Sequence, residues 1–314
     1  MKIIVTGALG HIGSKLIRDL PSYFKNSEII LIDNFTTQRY TSLFNLPPHN
    51  YKFYSKDIMN DDLSSIFNGA DIVVHLAALT EATTSLEEPE EYERVNYVGT
   101  KNILELCKKF SVKMIHFSST SIYGTTKKVV DENCDKEDIN PQSPYAETKF
   151  KEELLVQNFF ENEGLKSKTL RLGSICGTSP GMRFHAAISK FCFQASIGQS
   201  LSVWETALNQ KRPYLNLNDA TRAIAFVIEN NLFDGGVFNL VTANSTVKEI
   251  INTIRKFEPQ VKIEFVKSKI MNNLSYDVSS QKFKDKGFIF SNNLDEGIKD
   301  TISLFKSINS YEIW

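Results

Sequence analysis

The chain has 314 residues, 41% of them hydrophobic and 23% charged, and a formal net charge of −1. This is the balance of a soluble globular protein with room for one large or two modest domains, and it excludes the polybasic surface by which proteins hold nucleic acid. Residues 70–79, the longest apolar run, carry Asp71 and His75 and fall far short of a membrane span; residues 1–20 lack a signal-peptide pattern; and Cys107, Cys134, Cys176 and Cys192 have no paired spacing, so a reducing cytoplasm, no disulfide framework and no metal are expected.

Lys2–Thr6 is an apolar, β-branched run ending at glycine, which predicts a strand buried on both faces. From Gly10 to Leu20 the residues Ile12, Leu16, Ile17 and Leu20 recur at helical spacing, and Pro21 is expected to stop the helix. Between the two stands Thr6-Gly7-Ala8-Leu9-Gly10-His11-Ile12-Gly13. Gly7 allows the tight turn, Gly10 lets backbone amides approach a pyrophosphate, and Gly13 lets the helix pack closely on the strand. Leu9, His11 and Ile12 share this turn and its helix N-terminus, whose free N–H groups face phosphates. Glu28–Asp33 is the next strand. Asp33, 20 residues after Gly13, is placed to hydrogen-bond adenosine ribose hydroxyls and to repel a 2′-phosphate, which argues for NAD over NADP.

Strand and helix patterns then alternate. Tyr51–Tyr54 is a third strand, Asp61–Phe67 a short helix and Asp71–Leu76 a fourth strand. Pro89 opens a long helix, about Glu90 to Phe110, followed by a fifth strand, Met114–Ser118. Lys127–Pro144 is a loop, Tyr145 to about Asn162 a helix, and Lys168–Leu172 a sixth strand. Such alternation means a parallel sheet with helices on both faces. After Gly173 the pattern weakens: Ser179–Arg183 is loop, Leu201–Trp204 a short strand, Asn218 a cap for a helix over Asp219–Glu229, and Val237–Leu240 a strand. Thr246 and Glu249 form a capping box for a helix ending near Phe257, and Leu294–Ile308 is the last helix.

Tyr145 and Lys149 are one helical turn apart, so their side chains are neighbours. An adjacent ammonium and an oxidised nicotinamide favour phenolate, which can take a proton from a sugar hydroxyl as hydride leaves the same carbon. The spacing alone is also that of an ordinary solvated helix face. The serine-rich block Ser118-Ser119-Thr120-Ser121, before Ile122-Tyr123-Gly124, lies at the C-terminal end of the fifth strand, the edge where ligands of open parallel sheets sit. A hydroxyl there can hold the substrate oxygen; the alternative is a polar strand end satisfying its own backbone.

Taken together, the glycine turn, Asp33-Asn34, Asp57-Ile58, His75-Leu76-Ala77-Ala78, Asn96 before Gly99-Thr100, the serine block and the Tyr145/Lys149 pair resemble the extended short-chain dehydrogenase/reductase superfamily, in its NAD-dependent nucleotide-sugar epimerase/dehydratase branch. The resemblance covers nearly the whole length. It implies an α/β fold: a Rossmann-type doubly wound parallel sheet binding NAD over residues 1–173, and a smaller C-terminal α/β substrate lobe over 174–314, from which segments can return to the first domain. It implies that Asp57 and Ile58 contact adenine, that Leu76, Ala77, Ala78, Asn96 and Ser118 border the cofactor with Asn34, and that Lys149 also holds the nicotinamide ribose. The family's catalytic Ser/Thr falls on Ser119, with Thr120 the second choice. Arg212, in Lys211-Arg212-Pro213-Tyr214-Leu215, matches the arginine that grips the substrate diphosphate; Arg183 can reach the same anion. The relatives' helices matching 90–110 and 145–162 pair between subunits, implying a homodimer, with Ile103, Leu104 and Cys107 as an apolar stripe unless these are core.

The chain departs from the family in three places. Ser174 and Cys176 stand where relatives have Asn and Tyr in Arg-x-x-Asn-x-Tyr-Gly, and Ser174 joins the substrate candidates. Asn272–Asp277 offers no second phosphate-binding arginine. Thr120-Ser121 replace the Asp-Glu by which 4,6-dehydratases move protons, which counts against dehydration. A nucleotide-diphosphate sugar oxidised at C4 is the expected substrate. The outcome is epimerisation if the keto sugar rotates and is reduced on its other face, a dehydrogenase if it leaves, or a decarboxylase if an oxidised uronate loses CO2. A non-catalytic NAD-sensing scaffold of the same fold would typically lack the tyrosine or the lysine, and both are present.

Overall fold

The N-terminal apolar run forms β1 (Lys2–Thr6), followed by α1 (His11–Tyr23), β2 (Glu28–Asp33), β3 (Asn50–Ser55), α2 (Ser64–Phe67) and β4 (Ile72–His75). Then come α3 (Pro89–Tyr92), a π-helical segment (Glu93–Val98), α4 (Gly99–Phe110), β5 (Lys113–Ser119), β6 (Val129–Val130), α5 (Pro144–Glu163), β7 (Ser167–Leu172) and β8 (Ser174–Cys176). The remainder supplies α6 (Ala187–Ser196), β9 (Leu201–Trp204), β10 (Lys211–Asn216), α7 (Leu217–Glu229), β11 (Val237–Leu240), β12 (Ala243–Thr246), α8 (Val247–Phe257), β13 (Ile263–Val266), β14 (Asp277–Val278), α9 (Gln281–Lys284) and α10 (Asp295–Ser303). The computed structural model describes residues 1–184, 186–267, 275–291 and 293–308. Asn272–Leu274, in the segment read as lacking a second arginine, lie outside the described residues.

Seven strands form one parallel sheet in the order β11-β7-β5-β4-β1-β2-β3. Alternate residues of β1 divide its two faces. Ile3 and Val5 pack with Leu16, Ile17 and Leu20 of α1 and with Ala223, Ile224 and Val227 of α7. Ile4 packs with Ile103, Leu104 and Cys107 of α4 and with Val156 and Phe159 of α5. Helices therefore cover both faces, which is why β1 reads as a continuous apolar run. A third core joins α6, α8 and α10 to Leu201, Val203 and Tyr214. Two small sheets, β12-β10-β8 and β13-β9, contribute to it, and a third, β14-β6, packs in a separate cluster with Ile122, Tyr123, Val241 and Tyr276.

Several expectations are corrected. Pro21 does not stop α1, which runs on to Tyr23. The missing N–H leaves the Ile17 carbonyl without its helical donor, and the Tyr51 hydroxyl donates to it at 2.8 Å. The long helix is interrupted by the π segment, where the Asn96 amide holds both the N–H and the C=O of Leu79, at 2.8 and 2.9 Å. The cap of α7 is Asn216, whose side chain accepts from the Asn218 N–H, so the helix starts two residues earlier than expected. The last helix is shorter, Asp295–Ser303. β6 lies within the expected loop Lys127–Pro144, and α6, β8, β10, β12, β13 and β14 appear where the pattern is weak. Ile103, Leu104 and Cys107 are 0% exposed within this chain's own core, so they form no intersubunit stripe.

Candidate active site

The glycine turn closes on itself. Gly7 has φ +64°, and a Cβ there would lie 2.6 Å from the Ala77 nitrogen; one on Gly13 would collide with the Gly7 carbonyl. Only glycine allows both approaches. Gly10 caps α1 without any side-chain hydrogen bond, which leaves the helix N-terminus open toward the turn. The Asp33 carboxylate stands beside this turn and accepts the N–H groups of Leu9 and Phe35, each at 3.0 Å. The Asn34 amide donates to Asp57 at 2.9 Å, which links the ends of β2 and β3. Ile58 is buried against Gly99. Leu76 and Ala77 donate their N–H groups to Thr6, and Ala78 is half-buried just beyond.

The second half of the chain reaches over this turn. His11 Nε2 lies 2.8 Å from the Gly177 carbonyl, the Ser179 hydroxyl donates to the His11 carbonyl at 2.8 Å, and Gly181 packs against the Leu9 and Gly10 carbonyls so closely that a Cβ would collide. These contacts carry Arg183 to within electrostatic range of Tyr145, Glu81 and Tyr92, and burial lowers its pKa. Arg39 also lies by the turn, near Gly10. Its pKa is lowered by burial and then by the repulsion of Arg183, against the attraction of Asp33.

The α5 helix packs along β5 and the turn that follows it. Pro144 opens it and the Ser143 hydroxyl caps it, accepting from the Ala146 N–H. Tyr145 thus sits on the first turn, half-buried, its ring edge-on to Tyr92 at 6.4 Å and its N–H donated to the Ser85 hydroxyl. Lys149, one turn on, is buried, and its Nζ donates to Glu152 at 2.9 Å. At the end of β5, the Ser119 hydroxyl accepts from Ser121, while the Thr120 hydroxyl donates to the Leu172 carbonyl at 3.1 Å. Buried Ser118 Oγ has no partner among the described residues. Ser174 is exposed on β8, next to Tyr214 of β10. Arg212 of β10 donates to the Lys211 carbonyl and to Gln210, and burial lowers its pKa.

A sequence model of the NAD-dependent epimerase/dehydratase family matches residues 3–240. The chain belongs to that family. Its cofactor is NAD, and the cradle fits a dinucleotide: glycine contacts that a Cβ would fill, an uncapped helix N-terminus for phosphates and a carboxylate at the end of β2. The chain is 30% identical over 96% of its length to an Arabidopsis thaliana trifunctional UDP-glucose 4,6-dehydratase/3,5-epimerase/reductase, and it spans about half the length of such curated relatives (46% of that one). It is 28% identical to a putative UDP-glucose 4-epimerase of Methanocaldococcus jannaschii, over 98% of this chain and 99% of that one. Among solved structures, UDP-glucuronic acid 4-epimerase from Bacillus cereus, with UDP-glucuronic acid and NAD, superimposes with a TM-score of 0.87 at 26% identity, covering 98% and 99% of the two chains.

Sequence reasoning overlooked Arg39 and Glu152. Arg39 carries no motif of its own. Glu152 was accessible, because the helical spacing that pairs Tyr145 with Lys149 also pairs Lys149 with Glu152.

Proposed function

We propose that this protein is a nucleotide-sugar 4-epimerase, and that Tyr145 is its proton-transfer group. The observation that carries the reading is the set of side chains at the C-terminal edge of the sheet: Tyr145 and Lys149 on adjacent turns of α5, with Ser119 on the end of β5 against which α5 packs. NAD, when bound, accepts hydride from the sugar carbon and returns it. Tyr145 takes the proton of the C4 hydroxyl and later gives one back. Lys149 supports the phenolate electrostatically and holds the nicotinamide ribose. Ser119 holds the C4 oxygen. Its own proton is available, whereas Thr120 directs its proton to Leu172. Asp33 holds the adenosine ribose, and Asn34, Asp57 and Ile58 border the adenine. Arg212 grips the substrate diphosphate, with Arg183 as a second cation and Ser174 on the neighbouring strand. The working unit is a cytoplasmic homodimer.

A 4,6-dehydratase is the competing reading, favoured by the Arabidopsis relative. It needs a carboxyl acid at 120 or 121, and Thr120 and Ser121 are alcohols. The test is incubation of the purified protein, supplied with NAD, with UDP- and dTDP-sugars, followed by product NMR. The expected product is the C4 epimer without net NADH. A 4-keto-6-deoxy product would establish the dehydratase, and stoichiometric NADH a dehydrogenase.

A further inference from the structure

Lys149 does not stand alone inside the protein. Glu152, one turn further along α5, is 0% exposed. Its Oε2 receives three polar groups from three elements: Lys149 Nζ of α5 at 2.9 Å, His116 Nε2 of β5 at 3.0 Å and the Thr100 hydroxyl of α4 at 3.1 Å. Behind Thr100 lies His75 Nε2 at 3.1 Å, and His75 Nδ1 is 2.7 Å from the hydroxyl of Thr6, the first residue of the glycine turn. Thr6 in turn accepts the Ala77 N–H.

With the proton of neutral His75 on Nε2, the hydrogen bonds of this chain all run one way, from Ala77 through Thr6, His75 and Thr100 to Glu152. His116 Nδ1, 3.4 Å from the Thr169 hydroxyl, leaves Nε2 to donate as well. Such convergence of donors suits an ionised carboxylate. Burial pushes the Glu152 carboxyl up, but the charge of Lys149 and the bond from His116 outweigh it and leave it below its ordinary value. Glu153, the next residue along α5, pairs instead with Arg171 at 2.8 Å.

We propose that Glu152 is a positioning residue for the cofactor, anchoring the buried side of the Lys149 ammonium so that its remaining N–H bonds face the nicotinamide ribose and Tyr145. An ammonium has three donors and a flexible four-carbon stem. A buried anion that takes one donor fixes the direction of the other two. The same network ties this ammonium to the Thr6 hydroxyl at the start of the phosphate turn and to the Ala77 N–H beside it, so the two ends of the cofactor site share one hydrogen-bonded frame. The inference rests on Lys149 facing the nicotinamide ribose, as proposed above.

The test is a double-mutant cycle on NAD⁺ affinity, which needs no sugar substrate. Glu152→Gln keeps the volume and removes the charge. Dissociation constants for NAD⁺ are measured by protein fluorescence for wild type, Glu152→Gln, Lys149→Met and the double variant. Glu152→Gln is expected to weaken binding about tenfold with Lys149 present and less than about twofold in the Lys149→Met background. Equal effects in both backgrounds, or no effect with Lys149 present, would overturn the proposal. If Glu152→Gln fails to fold, Glu152→Asp keeps the charge but shortens the reach. It should then weaken NAD⁺ binding, and wild-type affinity in Glu152→Asp would reject the proposal. A Lys149→Met variant with unchanged NAD⁺ affinity would instead reject the placing of Lys149 itself.

Discussion

At the scale of single residues, the site separates roles that the sequence left together. Ser119 and Thr120 are both hydroxyls at the end of β5, and the family resemblance favours the first. The Thr120 bond to Leu172 supplies the physical distinction. Ser119→Ala should therefore lower turnover more than Thr120→Val does, by at least about tenfold, in initial-rate assays of C4 epimerisation. Tyr145→Phe removes only the oxygen and should lower turnover by about 10²–10⁴ while leaving NAD⁺ affinity within a few-fold; near-normal turnover would dismiss Tyr145 as the acid–base group. Arg212→Ala should mainly raise KM, since a diphosphate contact is equally present in ground and transition states. His75 affects stability. Burial, then the charges of His116 and Lys149, lower its pKa to about 3, against Glu152, whereas an unfolded histidine titrates near ~6.5. Between those values the unfolded chain binds a proton that the folded chain does not. The contribution of His75 is therefore complete above about pH 6.5 and is lost as pH falls toward 3. Urea unfolding at pH 7 and pH 5 should show a loss of about 2 kcal/mol from this group, absent in His75→Gln. Both the tyrosine–lysine pair and the aspartate at the end of β2 were legible because they follow from local spacing. The state of His75 was not, because it depends on Thr6, Thr100 and Glu152, which come from three other elements.

At the scale of elements, patterns with a single strong cause were readable and those with two were not. β11 agrees with its predicted bounds, and the Thr246–Glu249 capping box forms at the start of α8. Pro21 misled because a proline costs a helix one donor, and here Tyr51 of β3 supplies another to the bereft carbonyl. The helix over 90–110 has continuous helical composition, yet Asn96 is engaged by the Leu79 backbone and the helix widens there. The glycine turn is the element most fully specified by sequence, and its geometry gives a sharp prediction. Gly7→Ala must adopt a positive φ and bring a methyl into the Ala77 backbone; Gly13→Ala must displace the Gly7 carbonyl. Each should cost about 1–3 kcal/mol in unfolding experiments and weaken NAD⁺ binding strongly. A surface control, Gly69→Ala, meets no atom within 4 Å and should retain wild-type NAD⁺ affinity, although its own φ of +71° carries some strain. Wild-type stability and NAD⁺ affinity in Gly13→Ala would contradict the close packing of α1 on the turn.

At the scale of the whole molecule, the parallel sheet follows from alternating patterns in the first half, but two later elements complete it. β11 adds the seventh strand beside β7, and α7 packs beside α1, across about two hundred residues of chain. Nothing local marks that return, nor the contacts of Gly177, Ser179 and Gly181 with the phosphate turn, because each is a meeting of segments far apart in sequence. Assembly is the other property that lies beyond local pattern. The stripe first expected at an interface, Ile103, Leu104 and Cys107, lies inside the chain's own core. On the helices expected to pair, large apolar side chains left outward are Leu154 of α5, 52% exposed, and Val98 at the end of the π segment, 38% exposed. The π segment packs on α5, and Lys151 pairs with Glu93 across that contact at 2.6 Å, so the two elements present one continuous surface. A homodimer built on that surface would bury Leu154 and Val98 against their symmetry mates, since a two-fold interface opposes the same patch to itself. Light scattering at micromolar concentration should give twice the mass of one chain for the wild type. Leu154→Glu places like charges about the two-fold axis and should give the single-chain mass, with NAD⁺ affinity retained because Lys149 and the glycine turn belong to one chain. A single-chain mass for the wild type would refute the dimer, and a dimer that survives Leu154→Glu would move the interface away from α5.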